Sequence, residues 1–139
     1  MKEAPPQLEH FPYHTGETVR MRDLDHQNHV NNAVFSTYLE TGRVTLLREL
    51  FGDFRQDGGF VLARLEIDYL RELLWPGSIV IGTRVGRLGN TSVTFTQGVF
   101  AEEVCVARGQ STLVRMDRAT HRPAPFTPEM ADQLKSLMR

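Results

Sequence analysis

At 139 residues, with sixteen Lys and Arg against seventeen Asp and Glu for a formal net charge of −1, the chain has the length of one domain, taken to run over 1–139. It carries no overall basic field that would draw in nucleic acid or an anionic membrane surface. No stretch approaches the ~18 consecutive apolar residues of a membrane span, and residues 1–16 hold prolines and acids where a signal peptide would hold an apolar core. The single cysteine, Cys105, cannot close an internal disulfide. It lies in an apolar run and reads as a core residue in a reducing, cytoplasmic compartment.

Glu17–Arg22 alternates around Val19 and Met21 as a short first strand would. From Asn32 to Phe51, residues Phe35, Tyr38, Leu39, Gly42, Leu46 and Leu50 recur at spacings of three and four, the signature of one helix face. Asn31 suits its N-cap and Gly52 stands just past its end. Glycine inside a helix costs about 1 kcal/mol relative to alanine, so Gly42 on this face implies that a sheet comes close. After the turn-rich segment Gly52–Gly59 the period changes to two. Val61, Ala63, Leu65, Ile67 and Tyr69 share one face of a half-exposed strand that Pro76-Gly77 ends, and Arg64, Glu66 and Asp68 share the other. Ser78–Arg87, Ser92–Ala101 and Glu103–Arg115 read as three more strands, with tight connections at Leu88-Gly89-Asn90 and Glu102-Glu103. Thr127–Leu137 reads as a closing helix with Thr127 as N-cap and Pro128 in first position. The order β-α-β-β-β-β-α predicts an α+β domain, one long helix on a five-stranded antiparallel sheet.

Chemistry is concentrated at one joint. Asp23–Asn32 packs two carboxylates, two imidazoles and four side-chain amides between a strand and the long helix, where buried polar groups without partners would cost stability. A site explains the crowding better than a structural need does. The helix start adds backbone N–H groups that lack intrahelical partners and carry partial positive charge. There is no Gly-x-Ser-x-Gly elbow and no phosphate-cradling glycine loop. A metal reading would use Asp23, Asp25, His26 and His29, but four ligands on one short loop would have to wrap an ion without help from elsewhere. The preferred reading uses no metal and no cofactor.

In chain order, Asp23-Leu24-Asp25, His29-Val30-Asn31-Asn32, Tyr38-Leu39-Glu40-Thr41-Gly42-Arg43, Ile67-Asp68-Tyr69, Pro76-Gly77-Ser78 and Arg122-Pro123-Ala124-Pro125 resemble the landmarks of the 4-hydroxybenzoyl-CoA thioesterase family of hotdog-fold acyl-CoA thioesterases. The resemblance implies the hotdog fold and hydrolysis of acyl-CoA thioesters to acid and CoA. It implies Asp25 as the catalytic carboxylate, either general base or nucleophile, and the backbone amide of Asn32 as oxyanion donor. The plant acyl-ACP thioesterases carry a similar stretch, onto which Asp25, Gln27 and His29 fall, with Gln27 where those enzymes have Asn. His29 would orient Asp25 or carry a proton, while Gln27 and Asn31 would meet substrate, Asn31 with capping as its other role. Arginine suits the CoA phosphates. The hairpin that is basic in the family holds only Arg87 here, so Arg87, Arg118 and Arg122 are the candidates. The resemblance further implies a homodimer or homotetramer with sites shared between subunits, and no nucleic-acid or membrane partner. Acyl carrier protein as carrier, and a non-catalytic acyl-CoA-binding module, are the alternatives.

Overall fold

The long helix begins where the sequence places its cap. The Asn31 side-chain oxygen accepts from the Ala33 amide at 2.8 Å, and α1 runs Asn32–Phe51 to Gly52, which ends it at φ 66°, a conformation that glycine adopts freely. The structure, a computed structural model, describes residues 4–138. Residues 1–3 and 139 of the expected domain lie outside it.

Five strands form one antiparallel sheet in the order β1-β3-β4-β5-β2, with β1 at Tyr13–Val19, β2 at Phe60–Tyr69, β3 at Gly77–Leu88, β4 at Ser92–Ala101 and β5 at Val104–Arg115. The β4–β5 connection puts Glu102 and Glu103 at φ 49° and 68°, the paired left-handed geometry of a two-residue hairpin. Helix α1 crosses β1, β3 and β4 and buries Leu39, Leu46 and Leu47 against the inner face. Each such side chain contributes about 1.5–3 kcal/mol. Gly42 permits this contact, because a Cβ there would stand 2.8 Å from Ile81 Cγ2 and 3.0 Å from Gln97 Nε2. A second helix, α2 (Pro128–Lys135), is capped by Thr127 Oγ1, which accepts from the Met130 amide. It drops Leu134 into the cluster of Leu46, Leu47, Val85 and Phe95.

The outer face is partly closed by the chain's own beginning. Phe11 lies over Gly82, where a Cβ would come within 2.7 Å of its ring, and meets Phe100 edge-on with centroids 5.8 Å apart. This is the helix-on-sheet arrangement of the hotdog fold, as the sequence predicts. Among the described residues no helix is long and apolar enough to cross a membrane.

Three expectations are corrected. The first strand is Tyr13–Val19, and Met21–Asp23 is a 3-10 turn. β1 can pair only as far as its neighbour extends, and β3 begins at Gly77 opposite Val19, just after a proline that has no N–H to give. The expected single apolar face of β2 is broken by a register shift between Leu62 and Arg64: Leu65 and Ile67 pack against the core, while Val61, Leu62 and Tyr69 are close to half exposed, because in a single chain nothing lies beyond this edge. β2 also stops at Tyr69. Residues 70–76 turn back over the loop ahead of α1, with Leu73 buried in the core.

Candidate active site

Asp25 sits in a turn of its own making. Its Oδ1 accepts from the Gln27 amide at 2.8 Å and the His29 amide at 3.3 Å, while its backbone N–H donates to the His29 carbonyl. Asn28, at φ 62°, makes the turn, a left-handed conformation that asparagine tolerates. The Gln27 amide above all, with those of His29 and the neighbouring imidazoles, holds the Asp25 carboxyl below the usual carboxylate range. Its Oδ2 bonds to nothing among the described residues and is left for chemistry. Asp23 is tied down by Oδ2, which accepts from the Arg20 amide at 2.9 Å and from the Tyr38 hydroxyl at 2.7 Å. Burial and that carboxylate push the Tyr38 hydroxyl well above the ordinary tyrosine range, so it stays protonated and donates.

The helix start supplies a donor. From Gln27 to Val34 every backbone amide has an acceptor among the described residues except that of Asn32. Asn31 serves as the cap, and its own amide donates to the Asp23 carbonyl. The His29 ring is engaged by Glu72, with Nε2 2.8 Å from Glu72 Oε2. The loop is clamped by the segment after β2. The Val30 amide donates to the Leu73 carbonyl, and the Tyr69 hydroxyl donates to the Asn32 carbonyl at 2.8 Å. Glu72 carries no pattern in the sequence that singles it out. Tyr38 and Tyr69 are visible there as members of an apolar helix face and an apolar strand face and of the family landmarks, with no sign of their bonds to this loop.

Asp25, Gln27, His29, Asn31 and Asn32 are thus together. Arg87, Arg118 and Arg122 are not with them. Arg87 is near the far end of β3, roughly 30 Å along the strand from Gly77, and Arg118, whose Nη1 donates to the Gln56 carbonyl, and Arg122 follow the far end of β5. Nor is the loop walled in. A hollow of about 760 Å³, bordered by Phe11, Glu66, Arg84, Arg108 and Gln110, lies elsewhere, between the N-terminal segment and the outer sheet face. Among the described residues no group of three or more His, Cys, Asp or Glu is arranged to hold a metal ion.

Residues 19–134 match the family model of the thioesterase-like superfamily. Three solved structures are similar along almost the whole chain. A thioesterase from Thermus thermophilus, crystallised with coenzyme A and Zn, is 36% identical with a TM-score of 0.85 over 93% of this chain and 96% of that one. The PA5185 protein from Pseudomonas aeruginosa strain PAO1 is 29% identical with a TM-score of 0.87, covering 97% of each chain. A predicted thioesterase from Bacillus stearothermophilus is 26% identical with a TM-score of 0.84, covering 91% of this chain and 96% of that one. No curated protein matches. With its hotdog sheet, a carboxylate and an unengaged amide flanking one loop, and a family match over most of its length, the chain belongs to the thioesterase-like superfamily and is a thioester hydrolase.

Proposed function

We propose that this protein hydrolyses acyl-CoA thioesters to a carboxylic acid and CoA. The observation that carries the reading is the Asn32 amide, which alone in its stretch lacks an acceptor, on the same loop as a carboxylate with a free oxygen. The thioester carbonyl accepts from that N–H, and its oxygen gains negative charge as the carbon becomes tetrahedral. Asp25 then acts by one of two routes. As general base it takes a proton from water as the water oxygen bonds to the carbonyl carbon. The carbon–sulfur bond then breaks, and the proton passes to the leaving thiolate. As nucleophile its oxygen bonds to the carbon and expels thiolate, leaving a mixed anhydride that water opens. Incorporation of labelled water oxygen into Asp25 during a single turnover distinguishes the second route.

A relative crystallised with coenzyme A supports CoA as the carrier, with acyl carrier protein as the second possibility. The uncovered edge of β2 supports a homodimer, and pairs of such dimers would make a tetramer. Two β2 strands paired antiparallel about a two-fold axis would bring the Phe60 end of each beside the Tyr69 end of the other. Arg118 and Arg122 of the partner subunit would then approach the Asp25 loop, where phosphates need them. Release of thiol from a panel of acyl-CoAs, without added metal, is the test. Activity that disappears with a chelator and returns with zinc would replace this reading with a metal-centred one.

A further inference from the structure

Arg43 is a cation inside the protein with too few partners. It is 3% exposed, and among the described residues its hydrogen bonding is a single long contact from Nη1 to Gln97 Oε1 at 3.4 Å. Gln97 is itself pinned, with Nε2 donating to the Leu39 carbonyl and to Thr83 Oγ1, each at 3.0 Å, so its oxygen is fixed in place. No carboxylate forms an ion pair with Arg43 among the described residues. Glu40, one helical turn earlier, acts on it only from a distance, and burial lowers its pKa. A buried guanidinium bonded to one neutral amide leaves most of its donors idle in a medium that penalises them.

A second buried polar group stands at the same level. Ser111 is 1% exposed, and its Oγ has no hydrogen-bond partner. The level follows from register. Leu39 lies against Gly109, where a Cβ would come within 2.8 Å of its Cδ1. From that contact α1 and β5 run the same way, both leaving the Asp25 end. Arg43 is one turn beyond Leu39, about 6 Å, and Ser111 is two residues beyond Gly109, about 6.6 Å. The line Phe35, Leu39, Arg43 also faces the less covered side of the inner sheet, since the Phe35 ring packs edge-on against Tyr69 of β2 at 5.3 Å.

We infer that Arg43 and Ser111 receive an anionic oxygen, a carboxylate, at the far end of the acyl group. Asn32 to Arg43 spans about 16 Å of helix, and an arginine side chain leans back toward the helix start. The guanidinium thus falls roughly 10–12 Å from the oxyanion donor, a span of about eight to ten linked carbons. The chemical class is a medium-length acyl chain ending in a carboxylate. Hydroxyl and guanidinium donors together suit that group, and a methyl end would leave both unmet. This rests on the reading of Asn32 as the oxyanion donor.

The test compares kcat/KM for two acyl-CoAs of equal chain length, one ending in methyl and one in carboxylate, and measures Tm with and without the free dicarboxylic acid. The wild type is expected to favour the carboxylate-ended thioester by about tenfold or more, and the diacid to raise its Tm. Arg43→Met should bring the ratio to about one and abolish the Tm response, Arg43→Lys should keep part of both, and Ser111→Ala should lower the ratio severalfold. Arg43→Met is expected to fold, because it removes a buried charge that has no ion-pair partner among the described residues and keeps an unbranched apolar side chain in its place. A wild type that prefers the methyl-ended chain, or variants that lower both substrates equally, overturns the inference. So does an Arg43→Met protein that turns monomeric while the diacid leaves the wild type unmoved, because the acceptor then belongs to a second copy. If neither thioester is cleaved yet the diacid raises Tm through Arg43, the carboxylate site stands and the acyl-CoA reading falls.

Discussion

β1 and β2 both lie at an edge of the same sheet, and they treat that position differently. β1 is seven residues long and mostly polar, with His14, Gly16 and Thr18 turned to the exposed side. β2 is ten residues long and leaves Val61, Leu62 and Tyr69 close to half exposed. An unpaired edge of that length and polarity invites another strand, and folded proteins normally blunt such edges with charge, proline or a covering element. One edge ends the sheet in polar residues, and the other leaves apolar side chains uncovered. The Asp25 loop belongs to the second, being clamped by Tyr69 at the end of β2 and by Glu72 and Leu73 just after it.

The largest effects are expected at the clamped loop. Asp25→Asn keeps shape and removes basicity, so kcat should fall on the order of 10²–10⁴-fold with the circular dichroism spectrum unchanged. Asp23→Asn should cost less activity and more stability, and a reversed order would assign the chemistry to Asp23. The same logic sets the acid limb of the pH–rate profile. Asp25 must be ionised, its backbone donors hold its pKa down, and activity should persist as pH falls until below the ordinary aspartate value of about 3.9.

Next in size is the edge itself. Leu62→Glu puts charge into the proposed seam and should convert dimer to monomer by sedimentation, with turnover falling about tenfold or more as the shared site comes apart. Thr18→Glu on β1 should leave assembly as it was. Equal effects from the two would erase the distinction between the edges.

How much of this was legible in the sequence follows the same division. The long helix could be read because its signals are local: Asn31 caps it, Gly52 ends it and its apolar residues repeat within it. β1 was misplaced because its inward positions before Val19 are Tyr13, Thr15 and Glu17, which carry little hydrophobic contrast. The segment after β2 has no period at all, so neither Glu72 beneath His29 nor the Leu73 carbonyl beneath Val30 could be anticipated. The density of polar groups at Asp23–Asn32 pointed to a candidate site. The remoteness of Arg87, Arg118 and Arg122 depends on which end of the sheet each strand reaches, and local sequence does not encode that.

Smaller effects sharpen the picture. Gly42→Leu should lower stability by about 1–3 kcal/mol through overpacking against Ile81 and Gln97, whereas an exposed helix position would gain from the change. A melting curve decides the sign. Tyr69→Phe removes the hydroxyl that holds the Asn32 carbonyl and should cost about 1 kcal/mol, a severalfold fall in turnover, because the neighbouring amide is then less firmly aimed.

Phe11 on its glycine floor has a consequence for how the protein can vary. The ring occupies space that a side chain at Gly82 would otherwise claim, so these two positions form one heritable unit, split between the segment ahead of β1 and the middle of the sheet. A larger residue at Gly82 should be tolerated only in a background that has already lost the Phe11 ring, and the double variant should cost less than the sum of the singles. Shortening the chain past Phe11 would likewise open an apolar hole over β3 and β4, so an expression tag belongs ahead of Phe11 and never in its place.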